Sequence, residues 1–355
     1  MEPTPIWSES EQRWRLDARV QGRRRVFTSR KEGPAGRRIV MKAYRDAVDG
    51  VEVNSRIKVK DAVEKYLEHV KAMSSAANHH QREHYCKYIN TKAYAHKRLS
   101  QLTRGDWQDI ISEAKPIGGK PLSKKAYSNL RSTIVNLCSW AFDHEMVERV
   151  PEGLRLPSDA PEIGKPILTP ADIKKLFSSQ YSSWYTNAWR LMLVTGLRPG
   201  EVLGLQKADI DGNVLTVHRS INWQNQVTTG KNKNARRTIV MTDFALSILG
   251  DQEKLRSDAK MMTRWIFPGT DGGQPSHQCQ SDMFSSLMGK GLTPYCLRHT
   301  FYSIMKGSLT EAQAKAYMGH SKDMDTYGVY GKKVDGEMDA TAQKINEEMK
   351  KWVQA

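Results

Sequence analysis

Two phrases decide how this chain is read: LTPYCLRHTFYS at Leu292–Ser303 and AKAYMGHSKDMDTYGVYG at Ala314–Gly331. They bring Arg298, set among apolar residues, close in sequence to the pair Gly319-His320 and to the tyrosines Tyr327 and Tyr330. About a hundred residues upstream, TGLRPGEVLGL (Thr195–Leu205) carries a second arginine, Arg198, with Glu201 three positions on. Two arginines and a histidine around a tyrosine suit the task of holding a phosphodiester while a phenol attacks it. Guanidinium forks bind phosphate oxygens bidentately and stay charged, and tyrosine can serve as a covalent nucleophile.

The composition fits a polyanionic partner. The 355 residues include 55 Lys+Arg against 39 Asp+Glu, a formal net charge of +16. A field of that sign favours nucleic acid or an anionic membrane surface. No apolar run approaches the ~18 residues of a spanning helix, and MEPTPIWSESEQRW lacks the basic-then-apolar layout of a signal peptide. Nucleic acid is therefore the expected partner, with no membrane role. Cys86, Cys138, Cys279 and Cys296 stand singly, without the spacing of a zinc site, so a reducing compartment and no structural metal are expected.

Outward from the two phrases, the chain divides by pattern. Between Arg13 and Arg45 there are twelve Lys/Arg and two acids, Asp17 and Glu32. RWRLDARV, RRRVFTSR and RRIVMKAYRDA alternate basic with apolar residues, and turn signals stand at Gln21-Gly22 and Gly33-Pro34-Ala35-Gly36. This reads as a small three-stranded sheet that can end in a helix. Arg13, Arg15, Arg23, Arg24, Arg25, Arg37 and Arg38 are its candidate DNA contacts. From Val59 to Val150 the period is helical: Val63, Tyr66, Leu67 and Val70 form one stripe, and Leu130, Ile134, Leu137, Trp140 and Ala141 another. Thr103 with Asp106 predicts a capping box. Lys92, Lys97, Arg98, Arg104, Lys124, Lys125 and Arg131 are scattered over this helical part, each a solvated charge singly and together a candidate DNA-facing side.

Five prolines between residues 151 and 170 mark a linker, because proline disfavours helix and stiffens the chain. Thr169-Pro170-Ala171-Asp172 then restarts a helix. WYTNAWRLMLVTGL reads as a buried helix ending at Gly196, and PGEVLGLQ as the start of another. Arg198 just before it would sit beside free N–H groups that also favour a phosphate oxygen. NVLTVHRS and RTIVMT predict two strands around a polar loop. Met338, Ala342, Ile345, Met349 and Trp352 predict a C-terminal amphipathic helix.

In order, TGLRPGEVLGL, KNKNARRTIVMT, TPYCLRHTF, and MGHS with a tyrosine ten residues after the histidine make a set that resembles the tyrosine recombinases, the phage-type integrases. The resemblance is specific from about residue 168 to 335 and looser before that. It implies a multidomain, mainly α chain with small β-sheets: an arm-type DNA-binding domain at 1–56, a helical core-binding domain at 57–155, and a mixed α/β catalytic domain with a C-terminal helix at 156–355. It makes Arg198 and Arg298 the phosphate clamp, His320 a further donor, Tyr330 the nucleophile and Lys231 the acid that protonates the leaving 5′ oxygen, with no metal or other cofactor. Glu201 and Tyr295 are supporting residues. Tyr327 remains the alternative to Tyr330, and Lys233 to Lys231. The family usually has histidine where Tyr295 stands; a tyrosine still donates a hydrogen bond but stays neutral near pH 7. His299 is expected to be a buried structural histidine.

The function so implied is site-specific recombination for a phage or other mobile element, through a 3′-phosphotyrosyl intermediate and a Holliday junction. The implied partners are double-stranded attachment-site DNA, three further copies of the chain in a homotetramer, and accessory DNA-bending or directionality proteins. The setting would be the cytoplasm of a bacterial host, with the nucleoid. A type IB-like topoisomerase and a DNA-binding protein that has lost catalysis are the rival readings. The C-terminal helix has two readings as well, packing on its own domain or on a neighbouring protomer.

Overall fold

The computed structural model describes residues 3–20, 23–48, 57–90, 93–114, 122–179, 183–229, 236–289, 291–319 and 336–353. The chain divides into two units, Met1–Ile163 and Gly164–Ala355.

The first unit opens with an antiparallel sheet in the order β1 (Ile6–Ser8), β2 (Arg13–Val20), β3 (Arg23–Ser29), followed by α1 (Gly33–Val48). Three strands were expected, but the stretch RRIVMKAYRDA lies in α1, and the third strand is the short β1 on the other edge of β2. The physical reason is the burial period. Gly36, Val40 and Ala47 are the buried positions of α1, spaced four and seven apart, which is helical and not period two. Pro34 stands in the first turn of α1, where proline is tolerated. Leu16 pairs with Phe27 on the covered side of the sheet, and Phe27 meets Tyr44 of α1 edge to face at 5.9 Å.

The α-helices α2 (Val59–Met73), α3 (Ala76–Asn90), α4 (Arg104–Ser112) and α5 (Lys124–Asp143) follow. The expected stripes become core, with Val63, Tyr66, Val70, Leu130, Ile134, Leu137, Trp140 and Ala141 buried, and Leu67 partly so. The Thr103–Asp106 capping box is present. Several of the scattered cations have local duties. Arg104 donates to Glu152 O at 2.8 Å and Gly153 O at 2.7 Å, Lys124 pairs with Glu162, and Gln108 exchanges two hydrogen bonds with the backbone of Arg155. These contacts strap residues 152–162 to α4 and α5, so a proline-rich stretch that reads as linker is tied down over half its length.

The second unit contains α6 (Pro170–Phe177), α7 (Thr186–Thr195), α8 (Pro199–Leu203), β4 (Ile210–Asp211), β5 (Val214–Val217), β6 (Ser220–Ile221), β7 (Val227–Thr228), β8 (Arg237–Val240), α9 (Asp243–Asp258), α10 (His277–Met288), α11 (Tyr295–Met305), α12 (Glu311–Met318) and α13 (Glu337–Val353). Strands β4, β5 and β8 form one antiparallel sheet and β6 and β7 another. Thr169 and Asp172 cap α6 reciprocally, as the sequence predicts. The core gathers α7, α11 and α12 around Trp189, Phe284 and Phe301. In this chain α13 packs on its own unit: Ala342, Ile345 and Met349 are buried there, and Asn346 donates to Asp243 at 2.7 Å.

Candidate active site

The site is built where α7 ends. Eight of the ten residues of α7 are buried, and the helix stops at Gly196, whose φ is 65°. A Cβ at Gly196 would lie 2.5 Å from the Phe301 ring, so both the left-handed backbone and the close approach of α11 require glycine there. The Gly196 carbonyl accepts a 2.6 Å hydrogen bond from Arg298 Nη1. Arg298 is carried by α11 and is 1% exposed. Its Nη2 is buried and has no hydrogen-bond partner among the described residues.

Two residues past Gly196 stands Arg198, with about a third of its side chain exposed. Glu201, 3% exposed, lies one turn further. Its Oε1 accepts from Arg198 Nη1 at 2.7 Å and its Oε2 from the Arg198 backbone N–H at 3.0 Å. The expected pair therefore forms. The N-terminus of the short α8 is met by this carboxylate, so the affinity for an anion resides in the guanidinium groups and not in the helix end.

A third arginine, which the sequence reading missed, completes the cluster. Arg237, at the start of β8, grips Glu201 with a fork: Nη1 to Oε1 at 3.2 Å and Nη2 to Oε2 at 2.9 Å. Its Nε donates to Tyr317 O at 2.9 Å. A signal was available. Arg237 lies two residues before the buried Ile239 on the inward face of its strand, opposite buried Val217, and an inward arginine needs a partner.

Two guanidinium groups, those of Arg198 and Arg237, share one carboxylate, and Arg298 feels its charge without bonding it. Burial by itself would raise the Glu201 pKa, but Arg237 and then Arg198 override it and bring it down to about 2. Burial, then the like charge of Arg198, lowers the Arg298 pKa to about 9, so it remains a cation at neutral pH and gains from an anion brought close. Burial also opposes the charge on Arg198, yet Glu201 and then Tyr295 hold its pKa above the ordinary value. A buried cation with an unmatched donor is costly, and a phosphate oxygen would supply both the charge and the acceptor.

Tyr295 is 42% exposed and stands one turn before Arg298, its ring 5.2 Å from that of His299. His299, expected to be a buried structural histidine, is half-buried against this tyrosine. Burial, and after it Lys165 and Arg298, lowers its pKa. Lys231, Lys233, His320, Tyr327 and Tyr330 lie outside the described residues. Next to His320 in sequence, the Gly319 carbonyl accepts from Arg198 Nη2 at 3.0 Å. Among the described residues no group of three or more His, Cys, Asp and Glu could hold a metal ion.

The candidate DNA-contacting arginines fall on different surfaces. Arg13, Arg15 and Arg24 share the side of the sheet away from α1, where Arg24 holds Asp17 through Nε at 2.9 Å. Arg23 pairs in register with Val20, and Arg25 with Ala18, on the alternate parity. Arg37 and Arg38 are exposed on α1.

Arginines held in this way suit the binding of an oxyanion, and residues 166–336 match the phage integrase family. Over that stretch the chain carries the domain of the tyrosine recombinases. The ICEBs1 integrase of Bacillus subtilis (strain 168) is 27% identical over 301 residues, 78% of this chain and 79% of the relative. The Tn1549 transposon integrase in complex with a circular intermediate DNA shares the fold, with a TM-score of 0.66 at 19% identity over 81% of this chain and 99% of that one. A lambda integrase tetramer bound to a Holliday junction gives a TM-score of 0.61 at 13% identity, over 94% and 99%.

Proposed function

We propose that this chain integrates and excises a phage or other mobile element, cutting one DNA strand at a time at attachment sites. The observation that carries this reading is the buried Arg298 beside Arg198, with an Nη2 that has no partner among the described residues. The two guanidinium groups would hold the non-bridging oxygens of the scissile phosphate, Arg298 from behind and Arg198 from the open side. Tyr330 would attack the phosphorus and form a 3′-phosphotyrosyl bond; Lys231 would protonate the departing 5′ oxygen, and His320 would add a further donor. The phosphotyrosyl bond keeps the energy of the bond that was cut, so a 5′ hydroxyl can rejoin it. Positioned cations that meet charge as it develops supply most of such an acceleration.

The relatives bound to a circular intermediate and to a Holliday junction support strand exchange in a homotetramer. We assign DNA attachment to residues 1–56 and 57–155 and chemistry to 156–355. No helix among the described residues is long and apolar enough to cross a membrane, which fits action on DNA in the bacterial cytoplasm. Accessory bending or directionality proteins would join through the first of these parts.

The catalytically impaired alternative has one observation behind it, Tyr295 in place of histidine. That tyrosine sits partly exposed beside Arg198 and can still donate a hydrogen bond to a phosphate oxygen, which favours activity. The test is a nicked DNA duplex from the junction of the element and its host, reacted with wild type, Tyr330→Phe and Tyr327→Phe. A covalent band lost only with Tyr330→Phe supports the proposal. Its loss only with Tyr327→Phe keeps the chemistry and reassigns the nucleophile, and a tightly bound duplex that gives no band with wild type selects the binding-only reading.

A further inference from the structure

We infer that Arg237 is a positioning residue for strand cleavage, one that aims Arg198 through Glu201 and sets the end of α12 against it. The inference rests on the phosphodiester-cleaving reading of the site. Six hydrogen bonds, with the backbone from Tyr317 to Gly319, close a ring. Arg237 holds both oxygens of Glu201; Glu201 holds the side chain and the backbone N–H of Arg198; Arg198 Nη2 reaches Gly319 O; and Arg237 Nε returns to Tyr317 O, two residues before Gly319. Every link is directional, so the heading of the Arg198 guanidinium depends on where Arg237 stands.

The surroundings leave Arg237 little freedom. Its side chain is 8% exposed. Gly319 has φ 70°, and a Cβ there would fall 2.8 Å from Arg237 Nη1. Tyr317, buried, stacks on Phe301 and donates its hydroxyl to Val240 O at 3.2 Å, which locks α12 onto β8. Arg237 is itself the first residue of that strand. One side chain thus ties together the start of β8, Arg198 through Glu201, and the end of α12. A lysine could replace the charge but not the fork with its third bond.

The alternative is a buried ion pair that only supports the fold. Three variants of the full chain, Arg237→Met, Arg237→Lys and Gly319→Ala, separate the two. Gly319→Ala keeps every charge and displaces the guanidinium. Each would be assayed on the nicked junction duplex for the single-turnover rate of covalent adduct formation, for the Kd at matched salt, and for the melting temperature. A misplacement of about 1 Å can cost ~10²-fold in rate, so Arg237→Met is expected to react ~10²-fold slower. Its Kd should stay within about threefold, and Arg237→Lys should recover about tenfold of the rate. Gly319→Ala should also slow the reaction with binding retained. Reaction of Arg237→Met within about threefold of wild type, or rate, affinity and melting temperature falling in parallel for all three variants, overturns the inference. If wild type itself binds the duplex tightly and forms no adduct, the cleavage reading falls and this inference with it.

Discussion

Two arginine-rich regions of the molecule handle their charge in opposite ways. In the N-terminal sheet, Arg24 and Asp17 meet in the open, and Arg13, Arg15 and Arg24 share a solvent-facing side. In the second unit, Arg237 and Glu201 are almost fully buried, Arg298 lies deeper still, and Arg198 is the partly exposed member. The sheet can attract a polyanion through its summed field, which tolerates movement of any one side chain. The cluster must place individual N–H groups against single phosphate oxygens, which requires burial and a fixed ring of hydrogen bonds. Arginines therefore do different work according to how firmly each is held.

The comparison predicts a descending series. Arg298→Ala should lower the single-turnover cleavage rate by ~10³-fold, the upper end for loss of one such donor, with little change in DNA affinity in a filter-binding assay. A drop of under tenfold would mean that the buried guanidinium does not face the phosphate.

Next is Glu201→Ala, which leaves Arg237 buried without its partner and should cost about 3–5 kcal/mol in urea unfolding of the second unit. Asp17→Ala, which removes the exposed counterpart, should leave the unfolding midpoint of the first unit unmoved. Equal responses of the two pairs would erase the contrast between the two regions.

The pH dependence sharpens the same point. Glu201 titrates at about 2 in the folded chain against an ordinary value of 4.5, so its pairing contributes fully above pH 4.5 and is lost as the pH falls toward 2. The loss should amount to about 3 kcal/mol, read as an acid limb in urea midpoints that Glu201→Gln flattens.

The smallest effect belongs to the sheet. Arg15→Ala should weaken DNA binding only a few-fold and lower the slope of log K against log salt by about one. An unchanged slope would remove Arg15 from the DNA-contacting face.

Features closed within one or two turns of chain were legible in the sequence. The capping boxes at Thr103 and Thr169, the helix end at Gly196 and the Arg198–Glu201 pair join residues at most four positions apart, so the local order of residue types specifies them. The ordered phrases around Arg198, Arg298 and His320 likewise pointed to the family before any contact was seen. Tertiary structure alone decided the rest. The bond from Arg237 to Glu201 spans 36 residues, that from Arg298 to Gly196 spans 102, and that from Arg198 to Gly319 spans 121. Nothing in a local pattern states which distant carbonyl or carboxylate a buried guanidinium will meet, because that choice is made by how α7, α11, α12 and β8 pack. The same holds for RRIVMKAYRDA, whose basic–apolar alternation suits either a strand or a helix. Its outcome was set by which face could be buried against β2 and β3.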